Sequence, residues 1–179
     1  MPISSNENPT IIPPSSWVVL HGERIPATGA VLDLACGSGR HARWLAARGY
    51  AVHAVDRDAA AIAALAGVPG VEARQLDLEG DAWPLTGRCY TGIVVTNYLW
   101  RPRLPDLLAL LAPGGVLIYE TFMCGNETYG KPSNPDFLLR PGELREIAAA
   151  AGLREVAFEE GYTDRPKPAM RQAVCAVRD

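Results

Sequence analysis

The segment VLDLACGSGRHARWLAARGY, residues 31–50, constrains the fold more than any other part of the chain. Val31, Leu32 and Leu34 read as a short buried strand interrupted by one acid, Asp33. Gly37 and Gly39 supply the backbone freedom for a tight turn against a ligand, with Ala35 at the strand exit. Arg40 to Arg48 then continues as a helix, which Gly49 stops at its C-cap. A second apolar stretch, Ala51 to Val55, ends in Asp56. Residues 31–56 therefore spell one strand–helix–strand unit with a carboxylate at the tip of its second strand, the arrangement of a mononucleotide-type site.

Two ligand classes compete for such a unit. Gly37-Ser38-Gly39-Arg40-His41-Ala42 fits the dinucleotide pattern G-x-G-x-x-A, and Asp56 falls near the acid expected roughly 20 residues downstream. A nicotinamide-dependent oxidoreductase is one reading, although no Tyr-x-x-x-Lys pair is present to donate a proton. Asp33 points the other way. A carboxylate just ahead of the glycines repels a pyrophosphate approaching the helix N-terminus, whereas S-adenosylmethionine (SAM) carries a sulfonium and an ammonium and no phosphate. Asp33 favours SAM by orienting the loop amides and attracting the amino-acid end of that ligand.

With CGSGR at residues 36–40, Asp56, Asp77 within QLDLEG, and Ala112-Pro-Gly-Gly115 leading into VLIYETF, the chain resembles a class I SAM-dependent methyltransferase over residues 30–178. The resemblance implies an α/β fold: a Rossmann-like, seven-stranded, mostly parallel sheet with helices on both faces and a C-terminal antiparallel hairpin. It implies that Asp33, Ala35, Gly37 and Gly39 surround the amino-acid end of SAM. Asp56, with Arg57 beside it, then holds the ribose, Asp77 and Leu78 meet the adenine, and Asn97 completes the cofactor set. Glycine is frequent in that family where Ala35 stands, so the turn is narrowed here. Leu45-Ala-x-x-Gly-Tyr50 and Gly142-Glu-Leu-Arg145 are similar to the small tellurite-resistance type of these enzymes. The loop GNETYGKPSNPDFLL is this chain's own, so the resemblance carries no substrate with it.

Composition narrows the remaining choices. A chain of 179 residues reads as a tail over 1–14, rich in Ser, Asn and Pro, and one domain over 15–179. The four cysteines show no zinc spacing, nothing before Trp17 resembles a secretory leader, and no apolar run reaches ~20 residues. A soluble cytoplasmic protein with free thiols is expected, without metal or membrane. The net charge of −3 and scattered arginines argue against a nucleic-acid partner and for a small-molecule methyl acceptor.

The acceptor side is read from strand exits. In a parallel sheet ligands sit at the carboxyl ends of strands, so Asn97, Tyr98 and Trp100 after Ile93–Val95 project toward the transferred methyl group, and the fifth strand ends at Glu120 and Thr121. The irregular run 123–140, which contains Tyr129, is long enough to close a substrate pocket. Ser15 or Ser16 caps a short helix in which Trp17, Val18 and Leu20 form an apolar face; the resemblance implies a leading helix over the cofactor, so Trp17 reads either as a lid or as a residue packed on the domain. The motif N-Y-L-W lacks the Asn-Pro-Pro-aromatic signature of enzymes that methylate base or amide nitrogen. In-line displacement on carbon asks mainly for positioning, and Tyr98, Glu120, Tyr129 and His21 are the groups that could act as a base.

Overall fold

The computed structural model describes residues 12–179; the tail expected over 1–14 lies almost wholly outside them. Seven strands form one sheet: β1 (Ala30–Leu34), β2 (Ala51–Asp56), β3 (Val71–Gln75), β4 (Tyr90–Thr96), β5 (Leu111–Phe122), β6 (Arg154–Thr163) and β7 (Ala169–Val177), in the order β3-β2-β1-β4-β5-β7-β6. The first five run parallel, β7 is antiparallel to β5, and β6 is antiparallel to β7. The expected α/β architecture and its C-terminal hairpin are present. The order reverses between β1 and β4, which opens a crevice above their carboxyl ends.

Apolar residues on alternate sides of the central strands build two cores. Val31, Val52, Ala54, Val94 and Ile118 face one side, where they meet α1 (Ser16–His21), α2 (Arg40–Ala46) and α3 (Ala59–Ala63) through Trp17, Val18, Ala42, Leu45 and Ile62. Leu32, Leu34, Val55, Ile93, Val95 and Tyr119 face the other side, where α4 (Leu104–Leu108) and α5 (Glu143–Ala150) supply Leu104, Leu107, Leu108, Leu144 and Ala148. Each fully buried Leu or Ile is worth roughly 1.5–3 kcal/mol, which fixes the strand register and hence which residues emerge at the strand tips.

Local chemistry sets the element ends. Ser15 Oγ accepts from the Trp17 amide at 3.1 Å and caps α1. Helix α2 closes at Ala46 rather than Arg48, because the chain turns toward Gly49, whose φ is +88°. Helix α5 begins at Glu143, two residues after Pro141, because Gly142 takes φ +71°. Helix α4 ends at Leu108, and Leu111 already pairs with Tyr90. Ala112–Gly115 then loops out before the pairing resumes at Gly92 and Val116, so the Ala-Pro-Gly-Gly turn sits inside β5. Within α1, Leu20 is 66 % exposed and Trp17 only 5 %, so the buried face is Trp17, Val18 and His21.

Candidate functional site

The loop after β1 carries the densest set of constraints. Ala35 has φ +52°, a conformation that costs a residue with a Cβ about 1 kcal/mol and explains the usefulness of glycine there. Gly37 has φ +53°, and a Cβ placed on it would meet nothing within 4 Å, so its α-carbon faces open space. Its amide donates to Asp56 Oδ2 at 2.8 Å, while Asp56 Oδ1 accepts from the Asp58 amide at 2.9 Å. One carboxylate thus ties together the loops that follow β1 and β2. Gly39 plays a different part: a Cβ there would lie 2.4 Å from Leu65 Cδ2, so this glycine admits a packed leucine rather than a ligand.

Asp33 is not at the surface of this loop. It is 1 % exposed, with Oδ2 accepting from the Ala42 amide at 2.9 Å, and anchors the first turn of α2 from below. Burial pushes its carboxyl up to about 7, partly offset by the Ala42 N–H and by Arg40. The sequence argument that Asp33 meets the ligand's charge directly is therefore corrected. The residue shapes the loop from within.

Ala35, Asp56, Arg57, Leu76, Asp77, Leu78, Glu79, Asn97 and Tyr98 line a cleft of about 250 Å³ over the tips of β1 to β4. Six of the nine residues named from sequence as cofactor-binding stand in it together: Ala35, Asp56, Arg57, Asp77, Leu78 and Asn97. Asp77 Oδ1 accepts from the Glu79 amide at 3.0 Å, and the exposed Arg57 guanidinium lies 3.8 Å from Glu79. Glu79 escaped the sequence reading, although its place two residues after Asp77 was the available signal. Tyr98 also faces this cleft, with a buried hydroxyl that lacks a hydrogen-bond partner among the described residues. Burial, with Glu79 beside it, pushes the phenol well above its ordinary range, which disfavours the phenolate a base would need.

The acceptor-side residues do not converge as expected. Trp17 lies in the core, its indole N–H donating to the Val174 carbonyl at 3.3 Å, so it is a packing residue and not a lid. His21 is buried edge-on to Trp17 at 4.3 Å, without a hydrogen-bond partner among the described residues, and burial lowers its pKa. It is away from the strand tips. Trp100 is half-buried ahead of a 3-10 turn at Arg101–Arg103 and does not line the cleft. Tyr129 is 47 % exposed and packs on Tyr162 of β6, with ring centroids 5.3 Å apart. Glu120 stands at the tip of β5, 3.8 Å from the Arg171 guanidinium of β7.

Four residues that organise this side were missed. Asn126, 1 % exposed, donates through Nδ2 to the Pro132 carbonyl and accepts through Oδ1 from the Met170 amide, pinning the 123–140 loop to β7. Arg101 donates to both oxygens of Glu143 at 2.7 and 2.9 Å and to the carbonyls of Asp136 and Leu138. Burial raises the Glu143 carboxyl, but the Arg101 guanidinium and the Arg140 amide outweigh it and hold the group below its usual range. Arg171 is the fourth. Glu143 stands within Gly142-Glu-Leu-Arg145, but nothing local marks its pairing with Arg101, or those of Asn126 with Met170 and Arg171 with Asn97, because these partners lie 42, 44 and 74 positions apart.

Residues 31–115 match the methyltransferase-domain family. TehB from Haemophilus influenzae superposes with a TM-score of 0.72 at 21 % identity, over 90 % of this chain and 61 % of that one. The chain carries the class I SAM-dependent methyltransferase fold. The glycopeptide N-methyltransferase MtfA, complexed with S-adenosylhomocysteine (SAH), shares this methyltransferase fold at a TM-score of 0.63 and 19 % identity, over 91 % of this chain and 88 % of that one. A curated relative, hemagglutinin 1 of Eikenella corrodens, is 30 % identical over 131 residues, 66 % of this chain and 42 % of that protein. The chain thus spans under half the length of that relative.

SAM is the cofactor the methyltransferase fold implies, and the cleft fits it. Gly37 leaves room for close approach, Asp56 and Asp77 offer carboxylates to hydroxyl and amino donors, and the one cation in the lining, Arg57, is largely solvated. A pyrophosphate would find three acids, Asp56, Asp77 and Glu79, and little positive charge there. Among the described residues no cluster of His, Cys, Asp or Glu could hold a metal ion, and no helix is long and apolar enough to cross a membrane.

Proposed function

We propose that the chain is a SAM-dependent methyltransferase acting on a small-molecule acceptor in the cytoplasm. The observation that carries this reading is the union of Asp56 and Asp77 in one cleft at the switch point of the sheet, with Gly37, whose amide binds Asp56, presenting an open face. In it Asp56 receives the ribose hydroxyls, Asp77 and Leu78 frame the adenine with Glu79 and Tyr98 beside them, and Ala35, Gly37 and Asn97 border the amino-acid end. Asp33 and Gly39 serve the same site indirectly, the first through α2 and the second through Leu65. When bound, SAM supplies an electrophilic methyl group and a neutral thioether leaving group. The protein's part is to hold the acceptor in line about 3 Å from that methyl and to exclude water.

Glu120 is the group best placed to take a proton from a hydroxyl or thiol acceptor, because it stands at the tip of β5 beside the residue that ends β4. The Asn97 amide donates to the Glu120 carbonyl at 3.0 Å. Tyr129 and Tyr162 offer an aromatic wall at the outer rim. Four free cysteines among the described residues accord with a reducing compartment.

Calorimetric titration with SAM, SAH and NADH tests the cofactor, and methyl transfer from isotopically labelled SAM to a panel of small hydroxyl, thiol, carboxylate and metalloid acceptors tests the activity. SAM and SAH are expected to bind, NADH not, and Asp56→Ala should weaken both adenosyl ligands at least tenfold, about 1.4 kcal/mol. Tight NADH binding with none of SAM would overturn the reading.

A further inference from the structure

Asn97 leaves β4 with φ +57°, and it and Ala35 are the described residues other than glycine that adopt a positive φ. Asparagine tolerates this region better than most residues but still needs its surroundings to enforce it. Two contacts do so. The Asn97 amide donates to the Glu120 carbonyl at 3.0 Å, and Asn97 Oδ1 accepts from an Arg171 guanidinium nitrogen at 2.6 Å. Arg171 comes from β7, two strands away from β4, where it pairs with Phe122 of β5 on one side and Gly161 of β6 on the other. Its side chain is only 16 % exposed, lies 4.6 Å over the Phe122 ring and approaches Glu120 Oε2 at 3.8 Å. A single cation of the C-terminal hairpin therefore touches both the residue that closes the cofactor cleft and the carboxylate at the tip of the next strand.

We propose that Arg171 is a positioning residue for the methyl-transfer site: it locks the left-handed turn at Asn97 against the cofactor cleft and keeps Glu120 turned to the acceptor side. This rests on the SAM reading of the cleft. Without the guanidinium the commoner conformations of Asn97 swing the following peptide, and with it Tyr98, across the cleft that both residues line. Arginine suits the task because its planar fork, stacked on Phe122, is held in place before ligand arrives and loses little freedom on binding.

A double-mutant cycle separates this role from simple stapling of the hairpin. Glycine at position 97 adopts a positive φ without help, so it should abolish the need for the arginine. SAH is titrated calorimetrically into the wild type, Arg171→Met, Asn97→Gly and the double variant, with thermal unfolding of each as a check on folding. Arg171→Met is expected to weaken SAH about tenfold in the wild-type background and less than about twofold in the Asn97→Gly background, and Arg171→Lys to recover part of the loss. If Arg171→Met fails to fold, Arg171→Lys with and without Asn97→Gly forms the cycle, with the same ordering expected at smaller size. Unchanged SAH affinity in both arginine variants, or an equal loss in both backgrounds, overturns the role of Arg171 while the SAM reading stands. A wild type that does not bind SAH overturns both.

Discussion

The two halves of the sheet's carboxyl edge are built by opposite means. Over β1 to β4 the cleft is made by short-range chemistry: glycines that turn, and acids that bind amides two residues ahead or one strand across. Over β5 to β7 it is made by long side chains that reach across the fold, with Arg101 to Glu143, Arg171 to Asn97 and Asn126 to Met170 separated by 42, 74 and 44 positions. A cofactor common to many enzymes can be met by short, local chemistry. An acceptor particular to one enzyme is met by a scaffold that only the folded chain assembles.

The sharpest way to break this contrast is at Asp33, the one acid of the cofactor half held inside the protein. Its carboxyl ionises more readily in the unfolded chain, near 3.8, than in the folded one, near 7, so the folded state retains the proton between those values. Stability from this group is fully present below about pH 4 and is lost as pH rises to about 7, a difference on the order of 4 kcal/mol across a shift of about three units. Asp33→Asn should remove that slope while keeping an acceptor for the Ala42 amide, and chemical denaturation of both proteins from pH 4 to 8 measures it. Parallel curves would show that Asp33 is solvated like its neighbours.

A somewhat smaller effect is expected from Gly39→Ala. The new methyl group would meet Leu65 at 2.4 Å in a residue already at φ +75°, so overpacking and backbone strain together should cost about 3 kcal/mol. Gly37→Ala, with open space around it, should cost only the backbone part, about 1 kcal/mol, and instead weaken SAH binding. Equal losses of stability at both glycines would erase the distinction between a packing turn and a ligand-facing turn.

In the acceptor half, Arg101→Met should cost about 2 kcal/mol, less than the 3–5 typical of a fully buried pair because the arginine is 36 % exposed. Its expected signature is faster proteolysis within residues 123–140 with SAH affinity unchanged. Lost SAH binding would mean that the two halves are coupled through this clamp. The smallest expected effect is a gain: Ala35→Gly relieves φ +52° and should stabilise the protein by about 0.5–1 kcal/mol, read as a rise in the denaturation midpoint.

The same contrast governs what could be read from the chain itself. The strand–glycine–helix unit, Asp56 and the terminal hairpin are legible because periodicity, turn residues and spacing are local signals, whereas Asp77 enters only through the family resemblance. Trp17 stays open between lid and core in the sequence because a capped amphipathic turn does not reveal whether its apolar face meets ligand or core; the Val174 carbonyl, 157 residues away, decides it. Asp33 was misplaced for a related reason, since an acid at a strand end looks alike whether it faces solvent or an amide beneath the loop. Arg171 carries no signal until β7 has been laid between β5 and β6.

That insertion has a consequence for synthesis. β7 is made after the other six strands of the sheet yet lies inside it, so the hydrogen-bonding edge of β5 stays bare until residues 169–177 leave the ribosome. A chain halted before Ala169 carries every acid and glycine of the cofactor cleft yet presents an open, apolar ribbon of VLIYETF to its neighbours. Such a fragment should aggregate before it can bind anything, which makes the synthesis of β7 the checkpoint for quality in this fold.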